Sequence, residues 1–215
     1  MGKYYDYQKE VLNWSLWLSE NGFFGTKLGT GGNVSMRIPG EEAAAMTPSS
    51  RKYSELTAAD ICIVDFEGKV LEGELKPTVE QGMHLAVYKN REKVNAVAHT
   101  HQTYASLLSV IGTSIPALFD EVAFDIGDIV EVVPYALSGS VELAANVAAK
   151  LGNNCNCYLI QNHGALNLGS SIEKACLHAE MLEKICMVYY HALVSGKEIS
   201  VLPEPVIELV KALKG

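Results

Sequence analysis

The sequence predicts a single-domain α/β protein. Segments with helical periodicity alternate along the chain with short apolar runs that suit strands. The chain has 215 residues, of which 48% are hydrophobic and 20% are charged, an ordinary balance for a protein with a buried core. Because no repeat, linker or low-complexity tract divides the chain, we predict one domain over residues 1–215.

Charge and apolar content exclude several classes of partner. The formal net charge is −8, which is not the basic footprint of a nucleic-acid-binding protein. The N-terminus lacks a basic region followed by an apolar run, and no apolar segment approaches the roughly 20 residues that span a bilayer. We therefore expect no signal peptide and no membrane partner. Five cysteines without framework spacing favour reduced thiols in the cytoplasm.

Helices are predicted where apolar residues recur on one face and a cap or a glycine bounds the segment. Thr78 and Gln81 have the spacing of a capping box, with Thr78 as the cap. Ser170 or Ser171 would cap the last predicted helix, which Gly196 ends. The predicted helices are Tyr7–Glu20, residues 79–90, Gln102–Ser109, Val141–Leu151 and residues 171–194.

Strands are predicted where short apolar runs are bounded by turn residues. A glycine-dense turn over residues 25–33 precedes the first strand, and a turn at residues 67–69 makes the next two a hairpin. The predicted strands are Val34–Arg37, Ile61–Phe66, Val70–Leu71, Val94–Thr100, Val130–Tyr135, Cys157–Gln161 and Ala165–Leu168.

Three histidines lie where predicted strands end. His99 and His101 are two residues apart at the end of one apolar strand, so their side chains are expected on the same face. His163 stands where another apolar strand meets a turn. Three histidines with one open coordination position are typical of a catalytic zinc site. The alternative is that these histidines only pack or form hydrogen bonds, with His163 supporting the turn at Gly164.

Glu80 is the best candidate for acid/base chemistry. It falls in the first turn of a predicted helix, where the helix dipole favours the carboxylate anion. A carboxylate beside a metal ion can take a proton from one atom and return it to another. The alternative is a glutamate that only stabilises the helix. His84 lies four residues further along the same helix face and is a candidate neighbour of the site.

Three small polar turns are candidate phosphate-binding segments. They contain Gly32 and Asn33, then Ser49 and Ser50, then Thr78. Glycines let backbone N–H groups approach an anion, and hydroxyl groups add further donors. Each turn alone is also explained as a purely structural feature.

Taken in order, these motifs resemble the class II aldolase and adducin-like superfamily. That superfamily includes L-fuculose-phosphate aldolase and L-ribulose-5-phosphate 4-epimerase. The resemblance covers about residues 5–195, most of the chain. The matching motifs are Gly31–Ser35, Thr47–Ser50, Lys76–Glu80, Ala98–His101, Pro134-Tyr135 and Gln161–Gly164.

The resemblance implies a fold, a metal and an assembly. The fold would be a single three-layer α/β/α domain with a largely antiparallel central sheet. Zn²⁺, or another divalent cation such as Mn²⁺ or Co²⁺, would bind His99, His101 and His163. Glu80 would be a further ligand in the resting state and would act as the acid/base when substrate binds. The protein would be a homotetramer with active sites at subunit interfaces.

The resemblance also implies the substrate-binding residues, with three departures. Gly32, Asn33, Ser49, Ser50 and Thr78 would bind the phosphate of a sugar phosphate. Val79 replaces a serine, although its backbone N–H can contribute, and Ser49-Ser50 replaces the common Thr-Gly or Ser-Gly pair. Asp120, with Glu121 adjacent, stands where the fuculose-phosphate enzyme has a tyrosine that is donated across an interface.

The function implied is an aldolase that cleaves a ketose 1-phosphate to dihydroxyacetone phosphate and an aldehyde. The ketose would resemble fuculose 1-phosphate or be a deoxy- or methylthio-ketose. Three alternatives stay open at this stage. They are a 4-epimerase for a pentulose 5-phosphate, a dehydratase for methylthioribulose phosphate, and a metal-free adducin-like binding module. The acidic stretch at residues 120–128 keeps the epimerase open.

Overall fold

A nine-stranded sheet forms the middle layer of the computed structural model, which describes residues 2–214. Met1 and Gly215, the two ends of the predicted domain, lie outside the described residues. The strands are β1 (Asn33–Arg37), β2 (Ala43–Met46), β3 (Cys62–Asp65), β4 (Val70–Glu72), β5 (Ala96–Thr100), β6 (Ile115–Pro116), β7 (Ile129–Val133), β8 (Cys157–Ile160) and β9 (Gly164–Gly169).

The sheet has the order β4-β3-β2-β1-β5-β9-β8-β7-β6. Within residues 2–214, β7 and β8 are the one parallel pair, and the other neighbouring strands run antiparallel. β5 is hydrogen-bonded on both sides, to β1 and to β9, so its position is constrained along its whole length. The largely antiparallel central sheet is therefore confirmed.

Helices cover both faces of this sheet. α1 and α6 share one apolar cluster with the sheet, in which Val11 and Ile172 pack near Val34. On the opposite face, Met83 of α2 and Leu143 of α5 belong to another cluster. The α/β/α layering is thereby confirmed. The helices are α1 (Tyr5–Glu20), α2 (Gln81–Asn90), α3 (Thr103–Ile111), α4 (Asp120–Asp125), α5 (Val141–Lys150), α6 (Ile172–Val194) and α7 (Glu204–Lys214).

Most predicted helix boundaries agree with the structure. Ser171 caps α6 by accepting a hydrogen bond from the Lys174 backbone N–H at 3.2 Å. Ser140 does the same for α5, with the backbone N–H of Leu143 at 3.1 Å. None of the helices described over residues 2–214 is long and apolar enough to cross a bilayer.

The predicted capping box at Thr78 is wrong. α2 begins at Gln81, and Glu80 is its N-cap residue. The backbone N–H of Thr78 donates to the carbonyl of Thr47 at 3.0 Å, which ties this segment to a neighbouring turn. Because of that tertiary contact, the helix begins two residues later than predicted, and Glu80 lies at its N-terminus.

Two strands and two α-helices were not predicted, and tertiary packing explains the clearest case. The clearest is β2, whose sequence Ala-Ala-Ala-Met favours a helix by intrinsic propensity. All four of its residues are buried between β1 and β3, so strand pairing overrides that preference. The other unpredicted elements are α4, β6 and α7.

The five cysteines are free and buried, as their spacing predicts for reduced thiols. Burial raises the pKa of the thiols, to about 11 for Cys62 and Cys155 and to about 12 for Cys176. Neutral, buried thiols behave as small apolar side chains that fill the core.

We predict that truncating a buried side chain of the sheet destabilises the protein strongly. Leu159 in β8 is fully buried, so Leu159→Ala removes apolar contacts and leaves a cavity. The expected loss in free energy of unfolding is about 2–5 kcal/mol. Chemical denaturation measures it. Leu209→Ala is the matched control because Leu209 is 59% exposed on α7. Equal effects of the two changes would contradict the assigned core.

Candidate metal centre and active site

His99 and His101 lie together at the end of β5. His99 is fully buried and pairs in register with Asn33 of β1 on one side and Leu166 of β9 on the other. His101 follows the last strand residue, and its backbone N–H donates to the carbonyl of Phe23 at 2.7 Å. The two imidazole rings point to one side, with centroids 4.6 Å apart, as the spacing of two predicts.

His163 reaches the same point from the turn between β8 and β9. Asn162 before it adopts a left-handed backbone conformation, with φ of +55°, and makes the turn tight. Gly164 after it lies against β5, where a Cβ would clash with the carbonyl oxygen of Thr100. The turn therefore needs a glycine at that position, and it brings the His163 ring to 4.7 Å from the His99 ring.

The three histidines can act as ligands to one metal ion. Their coordinating nitrogens lie within 4.8 Å of one another, and the Nε2 atoms of His99 and His101 are 2.8 Å apart. The Nδ1 of His99 is 2.9 Å from the carbonyl oxygen of Ala165, so a proton on Nδ1 leaves Nε2 as the ligand atom. Tetrahedral zinc holds its nitrogen ligands about 3.3 Å apart, so these spacings fit.

Glu80 completes the cluster from the start of α2. Its carboxylate is 4% exposed, with Oε2 at 3.1 Å from His99 Nε2 and Oε1 at 3.4 Å from His163 Nε2. The Asn33 side-chain amide donates to Oε2, and the Ser138 hydroxyl donates to Oε1, both at 2.9 Å. Each carboxylate oxygen therefore has its own donor in addition to a histidine.

The electrostatics of the cluster favour one charged carboxylate among imidazoles. Burial acts to raise the pKa of Glu80, but the adjacent His99 and His163 and the hydrogen bond from Asn33 hold it well below its usual range. Burial, aided by His99 and His163, lowers the pKa of His101 to about 3. Burial and then His99 also lower the pKa of His163.

The pKa of His99 is raised, whereas those of His101 and His163 are lowered. Burial acts to lower it, but the Glu80 carboxylate and the Ala165 carbonyl outweigh burial and raise it. The cluster therefore combines an ionised carboxylate with neutral imidazoles at His101 and His163. Neutral imidazole nitrogens and a carboxylate oxygen are the donors that a catalytic zinc ion takes.

The three predicted phosphate turns converge beside Glu80. The Thr47 hydroxyl accepts a hydrogen bond from the Val34 backbone N–H at 3.2 Å, which links the first turn to the second. The Ser49 backbone N–H donates to the Lys76 carbonyl at 2.9 Å, which links the second turn to the third. Thr78, two residues before Glu80, is buried in this junction. Phosphate binding by these turns stays a prediction.

The exposed parts of these turns present donors to solvent. Ser50 is exposed and has a left-handed backbone with φ of +57°, and its hydroxyl is 3.2 Å from that of Ser49. Val79 is 61% exposed. Gly32 has φ of +67°, and a Cβ there would overlap the ring of Phe24. Only glycine satisfies both constraints, which keeps the turn close to Asn33.

Asp120 and Glu121 lie apart from this cluster. They form the first turn of α4, and both are exposed. The Glu121 carboxylate pairs with the Lys184 ammonium at 2.7 Å, in a contact that is itself exposed on both sides. Within the described chain they do not join the group formed by Glu80 and the histidines. A catalytic role for either residue, across a subunit interface, stays a prediction.

Ser138 is a site residue that sequence analysis missed. It lies in the loop between β7 and α5, directly after the matching motif Pro134-Tyr135, and it is exposed at the entrance to the cluster. A serine before a glycine is an ordinary turn signal, so only its contact with Glu80 identifies it.

The central sheet and its turns bring three histidines and a buried carboxylate together in an α/β/α protein, an arrangement that is compatible with a metal site. The chain belongs to the class II aldolase and adducin N-terminal domain family, whose profile matches residues 9–190. The resemblance inferred from the motifs is thereby confirmed. The matched region ends before α7, so the extent of the domain to residue 215 stays a prediction.

Characterised relatives cover most of the chain. The 5-deoxy-D-ribulose 1-phosphate aldolase of Bacillus thuringiensis serovar kurstaki is 35% identical over 192 residues, 89% of each chain. The L-fuculose phosphate aldolase of Escherichia coli strain K12 is 34% identical over 186 residues, 86% of this chain and 85% of the relative. A solved L-fuculose 1-phosphate aldolase superimposes with a TM-score of 0.89 at 34% identity, covering 98% and 97% of the two chains.

We predict that His101→Ala loses zinc. The change removes one of three converging nitrogens, so zinc affinity should fall by more than the roughly 10–100-fold that follows loss of a residue behind the ligands. Zinc content after dialysis and competition with a chromogenic chelator measure the effect. His191→Ala is the control because His191 is exposed on α6. A His101→Ala protein that keeps stoichiometric zinc would remove His101 from the ligand set.

Proposed function

We propose that this protein is a zinc-dependent aldolase that cleaves a ketose 1-phosphate to dihydroxyacetone phosphate and an aldehyde. The observation that carries the proposal is the meeting of His99, His101, His163 and Glu80 with three donor-rich turns in a member of this family. Such a site has a place for a metal ion and a place for a phosphate side by side. The free thiols support a reducing compartment, so we place the reaction in the cytoplasm.

The turns support a phosphorylated substrate. Ser49, Ser50 and the backbone N–H groups near Val79 lie in adjoining segments beside the carboxylate. We infer that they bind the phosphate, with Gly32 and Asn33 on the side nearest the histidines. The relatives named above act on fuculose phosphate and 5-deoxyribulose 1-phosphate. We therefore propose a deoxyketose 1-phosphate as the substrate class.

The histidines and Glu80 fit a divalent cation in charge and in spacing. His99, His101 and His163 would hold the ion, and Glu80 would bind it when substrate is absent. A bound Zn²⁺ supplies Lewis-acid stabilisation of the negative charge that develops on the ketose fragment. We propose zinc as the natural ion, with Mn²⁺ or Co²⁺ as substitutes.

Glu80 is assigned the proton transfer. Cleavage removes the proton from the C4 hydroxyl, breaks the C3–C4 bond and adds a proton to C3, so the ionised Glu80 carboxylate can take up the first proton and return it to C3. The Glu80 carboxylate is buried and ionised, yet its Oε1 faces the exposed Ser138 hydroxyl at the site entrance. A carboxylate placed this way can exchange a proton with substrate. Asp120 or Glu121 of a neighbouring subunit is proposed as the partner at the aldehyde oxygen.

We also propose a homotetramer with sites at subunit interfaces. Apolar side chains are strongly exposed around the site entrance, which favours contact with a second copy. Leu137 and Val141 flank Ser138 and are 70% and 87% exposed. Val79 and Tyr135 are also exposed near the site. Val79 precedes Glu80, and the backbone N–H of Tyr135 donates to the side chain of Gln161, which is two residues before His163. Burying this surface would close the site from solvent and bring a neighbouring chain to it.

A substrate panel tests the function. The purified protein is loaded with Zn²⁺ and incubated with fuculose 1-phosphate, 5-deoxyribulose 1-phosphate and a pentulose 5-phosphate. We expect release of dihydroxyacetone phosphate from a ketose 1-phosphate, with at least about 100-fold loss when a chelator removes the metal. A coupled hydride-transfer assay follows the release, and His101→Ala protein treated with Zn²⁺ in the same way is the matched negative control.

Other outcomes of the panel assign the alternatives. Epimerisation of the pentulose 5-phosphate without release of a three-carbon product would replace the aldolase by the 4-epimerase. Loss of water from methylthioribulose phosphate would replace it by the dehydratase. A protein that binds no metal would support the adducin-like binding module.

We predict that Glu80→Gln loses turnover and keeps its fold. Glutamine matches the shape, and its carbonyl oxygen can still accept from Asn33 while its NH₂ group donates to the Ser138 hydroxyl. It cannot take up and release a proton at neutral pH. The expected decrease in kcat is about 10²–10⁴-fold with little change in the thermal midpoint. Glu173→Gln is the control, since Glu173 is an exposed first-turn glutamate of α6. Wild-type turnover in Glu80→Gln would reduce Glu80 to a helix-stabilising residue.

A further inference from the structure

A line of buried side chains extends from Glu80 into the protein, away from the histidines. The Asn33 amide nitrogen lies 2.9 Å from Glu80 Oε2, and its oxygen Oδ1 lies 2.5 Å from His84 Nε2. The other ring nitrogen of His84, Nδ1, lies 2.7 Å from the Ser35 hydroxyl, which lies 2.7 Å from the Tyr88 hydroxyl. All five side chains are buried, so water does not compete for these groups.

Helix and strand periodicity produce this line. Glu80, His84 and Tyr88 are spaced by four along α2 and its cap, so they share one helix face. Asn33 and Ser35 are spaced by two on β1, so they share one strand face. The two faces pack together, and the helix residues alternate with the strand residues in the hydrogen-bonded sequence.

The direction of each hydrogen bond follows from its neighbour. An ionised carboxylate only accepts, so Asn33 must turn its NH₂ group toward Glu80. Its carbonyl oxygen then faces His84, and the bond at 2.5 Å requires a proton on Nε2. Burial lowers the pKa of His84 to about 3, so the ring is neutral and Nδ1 carries no proton. Nδ1 therefore accepts from Ser35, whose oxygen accepts from Tyr88.

His84 therefore determines the orientation of the Asn33 side-chain amide. If its side-chain amide rotated by 180°, its carbonyl would face the Glu80 carboxylate and its NH₂ would face the protonated Nε2 of His84. An acceptor would then face an acceptor at Glu80, and a donor would face a donor at His84, so these buried polar groups would lose their hydrogen-bond partners. With the amide as it stands, Glu80 keeps Oε2 directed at Asn33 and His99.

We infer that His84 is a positioning residue, which holds the Asn33 amide and thereby the Glu80 carboxylate in its substrate-free orientation beside the histidines. The inference rests on the proposed function, because it makes the correct placement of Glu80 a requirement for both metal binding and turnover. His84 itself touches neither the histidines nor the site entrance. Its contribution to the reaction passes through Asn33.

Two substitutions at His84 separate the two ring nitrogens. His84→Gln places an amide nitrogen near the position of Nε2 and keeps the donor to Asn33, while it loses the acceptor for Ser35. His84→Asn places its polar atoms near Nδ1 and keeps the acceptor for Ser35, while it loses the donor to Asn33. The two variants lose one buried hydrogen bond each, so a purely structural role predicts similar effects on activity.

The positioning role predicts different effects. We expect kcat of His84→Asn to fall about 10–100-fold, and its affinity for Zn²⁺ in a chelator competition to fall by a similar factor. We expect KM to stay within about threefold, because Ser49, Ser50 and the backbone N–H groups near Val79 are unchanged. His84→Gln should retain most of both properties. Thermal midpoints of the two variants serve as the stability control. Equal kcat and equal zinc affinity in the two variants would overturn the inference.

A measurement on the unmodified protein is independent of catalysis. ¹⁵N NMR of labelled imidazoles at neutral pH should show His84 as the neutral tautomer with its proton on Nε2. A neutral ring with its proton on Nδ1 and none on Nε2 would overturn the inference whether or not the variants fold. Should the substrate panel show no turnover, the tautomer and the zinc competition still decide the role of His84, so the two proposals fail separately.

Discussion

One buried negative charge organises the functional end of this protein. A carboxylate that leaves water costs several kcal/mol or more unless donors and positive charge replace its hydration. Glu80 receives them from separate parts of the chain: Asn33 on β1, His99 on β5, His163 in the β8–β9 turn and Ser138 before α5. Each of these elements must be in place before the charge is stable, so the site forms only in the complete fold.

The antiparallel sheet supplies the required precision. β1 and β9 flank β5, and the register places Asn33 and Leu166 on either side of His99. Because strand side chains alternate between faces, a slip of one residue would turn His99 to the opposite face of the sheet. Hydrogen bonds on both sides of β5 prevent that slip. The same arrangement leaves the strand ends free, where turns with their exposed donors surround the carboxylate.

The two sides of Glu80 differ in a way that suits chemistry. Toward the interior, Asn33, His84, Ser35 and Tyr88 form a buried line of hydrogen bonds. Toward the exterior, Ser138 is exposed and has exposed apolar side chains near it in the chain. A carboxylate that Asn33 holds on its buried side and that meets Ser138 on its exposed side can exchange protons without losing its orientation.

The sequence by itself determined the family, the α/β class and the three histidines, because those depend on local spacing and on motifs in order. His99 and His101 share a face through the strand period of two, and this holds wherever the strand lies. The sequence did not determine β2, the true start of α2 or the role of Ser138. Strand pairing overrides the helix propensity of Ala43–Met46, and a hydrogen bond to Thr47 holds Thr78 outside the helix. Only the tertiary structure decided which donors reach Glu80, because Asn33 and Ser138 lie 47 and 58 residues away in the chain and are brought to Glu80 by packing.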